Sequence, residues 1–205
     1  MNLSLDQLPF NLFDILLLAV LAAGIVRGRR HGMSEELLNL LTWVSILAAC
    51  TMLYEPGGRM LSDLTRFSLL SCYVTVYVAV ALAILGLFGL LKVHFGGKLI
   101  GSDFFGRGEF YLGMGSGLAR FACMLVAGLA LLNAPYYTPA EVRAREKFQN
   151  DVYGSEYFPG LHNVQEVVFQ KSLSGPLILQ YFDFLLIRPT HGEAREFHRP
   201  EAELP

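Results

Sequence analysis

The chain has 205 residues, of which 53% are hydrophobic and 17% charged, with a mean hydropathy of +0.43, whereas soluble domains carry about 25% charged residues. Such a composition belongs to a membrane protein, and a net charge of -2 supplies none of the concentrated basic surface that nucleic-acid binding requires. The three cysteines, Cys50, Cys72 and Cys123, lie inside apolar segments with neither CxxC spacing nor an even number, so they read as packing residues and not as a metal site or disulfide framework.

Four apolar segments come in order: 10–26, 37–54, 69–93 and 112–133. Each approaches the roughly 20 residues that a ~30 Å hydrocarbon core demands of a helix. Residues 1–13 hold Asp6 and no Lys or Arg, unlike the basic start of a secretory signal, so 12–24 reads as a retained first span. A soluble bundle would need a polar face on every helix, and the third segment has no charged residue before Lys92. The expected fold is all-α: a polytopic membrane protein with four transmembrane helices in 1–134 and a C-terminal polar and amphipathic helical tail in 135–205.

Between the first two segments lies the run 31–43, HGMSEELLNLLTW, preceded by Arg27, Arg29 and Arg30. A polar stretch this short is the turn between two crossing helices. Counting bases in the short connections gives orientation. The first turn holds those three arginines and the third holds Lys92, Lys98 and Arg107, against Arg59 and Arg66 in the second connection (55–68) and none in the N-terminal tail. The first and third turns are therefore expected in the cytoplasm, with both termini outside.

A charged group at mid-membrane costs about 2.5 to 3.5 kcal/mol on insertion scales unless it finds a partner or the interface. Asp14 and Arg120 are the two such residues. Asp14, one turn into the first helix, reads either as a carboxylate reaching the headgroups or as a proton- or cation-sensitive site. Arg120 sits eight residues past Leu112, roughly 12 Å deep. Glu35 and Glu36 fall in the first turn of the second helix, with Ser34 as its cap, where negative charge complements the helix dipole. A sharper expectation is that Arg120 pairs with Glu36 and joins the second and fourth helices.

Small residues form helical stripes, Cys72, Thr75, Ala79, Ala83 and Gly86 in the third segment and Gly113, Gly117, Arg120, Met124 and Gly128 in the fourth. They read as intramolecular close packing or as self-association through the Gly113/Gly117 face. The glycine-rich connection 95–111 lacks GxxxxGK[ST] order and a preceding strand, and reads as a flexible turn.

After Asn133, Tyr136 and Tyr137 suit the interface, and Thr138-Pro139-Ala140-Glu141 reads as a capping box opening a short helix to about Gln149. Residues 151–160 read as loop. The stretch 162–171 forms an amphipathic helix through Val164, Val167 and Val168, and 177–187 is apolar except for Gln180 and Asp183. Gly175-Pro176 interrupts the pair, so an outer-surface helix with Pro176 near its start is expected in preference to a fifth span. The end, from Pro189, is charged and expected to be disordered.

No catalytic constellation is evident. Gly115-Ser116-Gly117 is preceded by Met114 and no histidine lies within a span, so a rhomboid-like site is missing, and there is no HExxH. His191, Glu193 and His198 in the tail read as solvated residues and not as metal ligands. No cofactor is expected.

The run Gly32-Met33-Ser34-Glu35-Glu36-Leu37 through Trp43 resembles the RGFxxExLxLxxW signature of the colicin V production (CvpA-like) family of bacterial inner-membrane proteins. Asp14 also matches that pattern, Gly113-x3-Gly117-x2-Arg120 resembles its DxxxGxxxGxxR stretch with Glu109 in place of Asp, and Ser172 with Pro176 resembles its Ser-x3-Pro element. His31 stands where the family has Arg, and 136–160 is longer than in compact members. The resemblance implies a four-helix inner-membrane protein of the cell envelope, linked to production of a peptide bacteriocin. The expectation is a non-enzymatic protein that docks on partner membrane proteins or lipid; the alternative is a small channel or transporter with Asp14 and Arg120 lining its pathway.

Overall fold

The structure, a computed structural model, describes residues 11–65, 67–100, 108–144, 147 and 160–192, with backbone alone over 95–100. The N-terminal tail, Arg66, the connection 101–107 with Arg107, most of the expected loop 151–160 and the tail end with Glu193 and His198 lie outside the described residues, as does the Lys98 side chain.

The first element, α1 (Leu12–Thr65), is two helical arms, 12–31 and 33–65, joined at Gly32, whose φ of 74° and ψ of 173° break the helix at that one residue. An uninterrupted helix would hold Leu17 and Leu47 about 45 Å apart. Instead both line one apolar cavity of about 250 Å³, together with Leu21 and with Cys123, Val126 and Leu129, so the second arm has doubled back along the first. Two further long helices follow, α2 (Leu69–Ile100) and α3 (Glu109–Asn133). Among the described residues, three helices are long and apolar enough to cross a membrane. The expected segment 10–26, from Leu12 onward, and the expected segment 37–54 fall on the two arms of one element.

This geometry corrects several expectations. The turn expected in 31–43 is there but is narrower than that run: the reversal is confined to Gly32, whose positive φ a residue without Cβ adopts at little steric cost, and helix resumes at once, with Glu35 and Glu36 in its first turn as expected. Ser34 does not cap that helix through its side chain, since its hydroxyl is buried without a hydrogen-bond partner among the described residues. The second arm also runs past Tyr54, through Pro56, to Thr65, where a connection was expected from Glu55. Proline removes one helix hydrogen bond, but Gly57 and Gly58 behind it let α2 approach closely. A Cβ at Gly58 would sit 2.2 Å from Tyr73 Cδ1, and one at Gly57 would sit 2.9 Å from Val76 Cγ1. Tertiary packing outweighs local propensity there. Helix α2 likewise continues to Ile100, into the start of the expected glycine-rich turn.

Tyr54 and Tyr73 meet edge to face with ring centres 5.5 Å apart, and Cys72 and Tyr77 are also buried. Beyond this start α2 is little covered: Leu82, Leu87, Leu90 and Val93 are exposed, and nothing lies within 4 Å of a Cβ built on Gly86 or Gly89. The core gathers Phe13, Ile46, Cys50, Tyr54, Tyr77, Leu129, Ala130, Phe169 and Ile187, with Trp43 half-buried against it.

The tail folds over the end of the bundle where α1 begins and α3 ends. The capping box forms as expected, Thr138 N–H donating to Glu141 Oε2 at 2.9 Å and Glu141 N–H to Thr138 Oγ1 at 3.4 Å. It opens α4 (139–144), with 147 also helical. Hydrogen bonds from Thr138 favour the charged Glu141 carboxylate and draw its pKa below the ordinary value. Next come α5 (Leu161–Phe169), α6 (Ser174–Phe182) and a 3₁₀ turn at Asp183–Leu185. Helices α5 and α6 have 9 residues each, about 14 Å of rise, so neither crosses a bilayer. The break falls at 170–173, before Gly175-Pro176, leaving Pro176 in the first turn of α6. The far tail is more structured than expected: β1 (Pro135–Tyr136) pairs in parallel with β2 (Thr190–His191), and the Tyr136 and His191 rings meet at 4.9 Å.

Candidate functional site

The buried charged residues of the apolar helices lie at two places, Glu36 near Gly32 and Asp14 at the far end of the first arm. The first is built by glycine. Gly24, Gly28 and Gly32 recur every fourth residue on the first arm, so they share one face, and that face crosses Gly113 and Gly117 of α3. A Cβ at Gly28 would lie 2.0 Å from the Gly113 carbonyl oxygen, and one at Gly117 would lie 2.3 Å from that of Gly24. Backbones meet directly, which is how helices gain contact where lipid supplies no hydrophobic drive. The Gly113/Gly117 face is therefore occupied from within the chain.

Arg120 follows Gly117 by three residues, one turn along α3, and the glycine crossing brings it against the start of the second arm. Its Nη1 donates to both carboxylate oxygens of Glu36, at 3.1 and 2.8 Å. Glu36 is 1% exposed and the Arg120 side chain 13%, so the expected pair exists and is buried. Arg27 adds a second cation, its Nε 3.8 Å from Glu36 Oε1. The Arg120 Nε is buried without a partner among the described residues, and its guanidinium carbon lies 5.7 Å from the centre of the Phe121 ring. Glu109 packs on Gly32, with Cγ and Oε1 each 2.9 Å from where a Cβ would stand. Lys92 donates to Asn39 Oδ1 at 3.4 Å, tying the later part of α2 to the same end.

The second place centres on Asp14, which is 5% exposed. Its carboxylate is turned inward onto donors of its own chain. Its Oδ2 accepts the N–H of Asn11 at 3.0 Å and of Leu173 at 3.1 Å, while Oδ1 accepts the N–H of Ser174 at 3.0 Å and the Ser174 hydroxyl. One carboxylate thus closes the first turn of α1 and the first turn of α6 together, satisfying amide groups that a helix start leaves bare. Asn11 reinforces the joint by donating from Nδ2 to the Val167 carbonyl at 3.1 Å.

Ser172, also 5% exposed, forms the hinge between α5 and α6. Its hydroxyl donates to the Val168 carbonyl and accepts the Gly175 N–H at 2.8 Å. A Cβ on Gly175 would lie 2.1 Å from that carbonyl oxygen, so this position excludes a side chain. Asp14 and the Ser172-x3-Pro176 element, far apart in sequence, are one structural unit.

The two places are separate. Asp14 precedes Gly24, the first glycine of the crossing, by ten residues, about 15 Å along the helix. Each carboxylate is engaged by donors of its own chain. No group of three or more His, Cys, Asp or Glu able to hold a metal occurs among the described residues.

Residues 13–164 match the family described as Colicin V production protein. Comparison with curated proteins gave no match, and neither did comparison with solved structures.

Proposed function

The chain belongs to the colicin V production protein family, and on that premise we propose that it acts in colicin V production as a non-enzymatic inner-membrane protein that docks on partner membrane proteins. In this reading both arms of α1 cross the bilayer, giving four crossings with α2 and α3. The turn at Gly32 and the connection between α2 and α3 lie in the cytoplasm, as the six bases near them favour over the two in 55–68.

One observation carries the reading: the carboxylates buried in the apolar helices, and Nη1 of Arg120, are engaged by intrachain partners, while the outer surface of α2 is left apolar and uncovered among the described residues. A transport pathway needs polar groups facing a wet cavity. Glu36, Arg120 and Asp14 face protein donors and acceptors instead. By contrast Leu82, Leu87 and Leu90 are more than half exposed, and the bare Gly86 and Gly89 leave room for another helix to approach closely.

The test is photocrosslinking in native membranes from position Leu90, which is 72% exposed. A discrete adduct with another membrane protein, missing when the probe stands at buried Ile46, is the expected result. Recovery of lipid and self alone would overturn the docking reading. Proton or ion flux through the purified chain in vesicles, lost on Asp14→Asn, would replace it with transport.

A further inference from the structure

An open groove of about 720 Å³ lies beside the glycine crossing, lined by Val26, Arg29 and Arg30 of the first arm and by Phe110, Tyr111 and Met114 of α3. We propose that this groove holds the phosphate headgroup of an anionic phospholipid, with its acyl chains running along Val26 and Met114. The inference rests on the reading that the Gly32 turn lies at the level of lipid headgroups.

Three features of the groove point to this ligand. Of the three arginines before the turn, Arg27 is drawn to Glu36, whereas Arg29 and Arg30 are exposed and make no ion pair or side-chain hydrogen bond among the described residues. Two guanidinium groups on one wall, with no acidic residue among the described lining, complement a phosphodiester better than any neutral ligand. Glu109, the nearest acidic neighbour in sequence to Phe110, is turned onto Gly32.

The opposite wall is aromatic: Phe110 is 59% exposed and Tyr111 74%, at the end of an apolar helix where rings settle at the headgroup level. Finally, the groove is built and not incidental. Its two walls flank Gly28 and Gly113, whose backbones touch, so the crossing that fixes the helices also fixes the spacing of arginine from tyrosine. Basic pockets between transmembrane helices suit acidic headgroups. A zwitterionic lipid fits less well because its own ammonium competes for the phosphate.

The experiment is native mass spectrometry of the full chain purified in detergent, titrated with phosphatidylglycerol or phosphatidylcholine. Phosphatidylglycerol should bind more tightly, and Arg29→Gln with Arg30→Gln should weaken it about 30-fold, the scale of losing a charge-assisted hydrogen bond to the phosphate. Lys92→Gln, which removes a base at the same end but outside the groove, should leave binding unchanged. Unaltered Trp43 emission will show that each variant is folded, and the paired Arg→Lys variant, which keeps charge but loses the guanidinium fork, should bind at an intermediate level.

Equal losses for Lys92→Gln and the arginine variants would mean diffuse attraction and overturn the site. So would equal binding of the two lipids. Displacement by millimolar inorganic phosphate would assign the groove to a soluble anion instead. These readouts are independent of the crosslinking at Leu90, so either proposal can fail alone.

Discussion

Replacing Arg120 by Met leaves Glu36 at 1% exposure with Arg27 Nε, 3.8 Å away, as its remaining cation. That distance is too long for a hydrogen bond, so two charge-assisted bonds disappear and the carboxylate stays buried. Breaking a buried ion pair on one side costs about 3 to 5 kcal/mol; the nearby Arg27 places Arg120→Met towards the lower end. Glu36→Met strands the guanidinium of Arg120, which is 13% exposed, at a cost of the same order. Removing both charges leaves two apolar side chains of similar reach, and such replacements are often close to neutral.

The double variant should therefore be more stable than the sum of the single losses, by a coupling energy of about 2 kcal/mol or more. Simple charge reversal should rescue only in part, because Arg27 would then face an arginine at position 36. Equilibrium unfolding in mixed micelles can be followed by fluorescence of the single tryptophan, Trp43, two helical turns along the second arm from Glu36 and half-buried against the core. Strictly additive losses would refute the reasoning.

Gly28→Val places a Cβ 2.0 Å from the Gly113 carbonyl oxygen, against an ordinary contact beginning near 3.4 Å, so the helices must part by more than an ångström; overpacking costs about 1 to 3 kcal/mol. The same displacement pulls Arg120 from Glu36, and thermal unfolding in detergent should show a larger loss than for Gly86→Val, where the space is open. Asp14→Ala removes the acceptor for Leu173 and Ser174, a loss of about 1 to 2 kcal/mol by analogy with helix caps, and hydrogen exchange should rise at 173–175 before it rises in α3. Glu141 has its pKa lowered by hydrogen bonds from Thr138, so the capping box contributes above the unfolded carboxylate value and that contribution fades as pH falls through the folded one. Its NMR titration should have a midpoint below 4.5, and Thr138→Ala should move it upward.

Much of this architecture is legible in the residues, and the reasons for the rest are physical. The four apolar segments are visible because hydrocarbon demands uninterrupted apolar length. Arg120 and Glu36 are matched by depth, since helical rise places both near one face of the membrane. Gly24, Gly28 and Gly32 carry a signal as plain as that of Gly113 and Gly117, a glycine at every fourth position, yet the charges around Gly32 point to a turn and hide the helix face those glycines share.

The continuation of the second arm through Pro56 depends on Gly57 and Gly58 meeting Val76 and Tyr73, a contact no local pattern encodes. Asp14 is the clearest limit. Its partners include backbone amides at the far end of the chain, and an amide carries no side-chain signature to find. Residue spacing reports which face a side chain occupies; it does not report which distant segment will cover that face.

The reversal at Gly32 is tested most directly by a distance between spin labels at Leu12 and Met52, both at least three-quarters exposed, after replacement of Cys50, Cys72 and Cys123. Each position is twenty residues from Gly32, so the folded-back arms place the labels side by side, within about 30 Å including their linkers, while a continuous helix would hold them about 60 Å apart. The short distance in lipid bilayers is the predicted result, and a population centred on the long one would contradict the account.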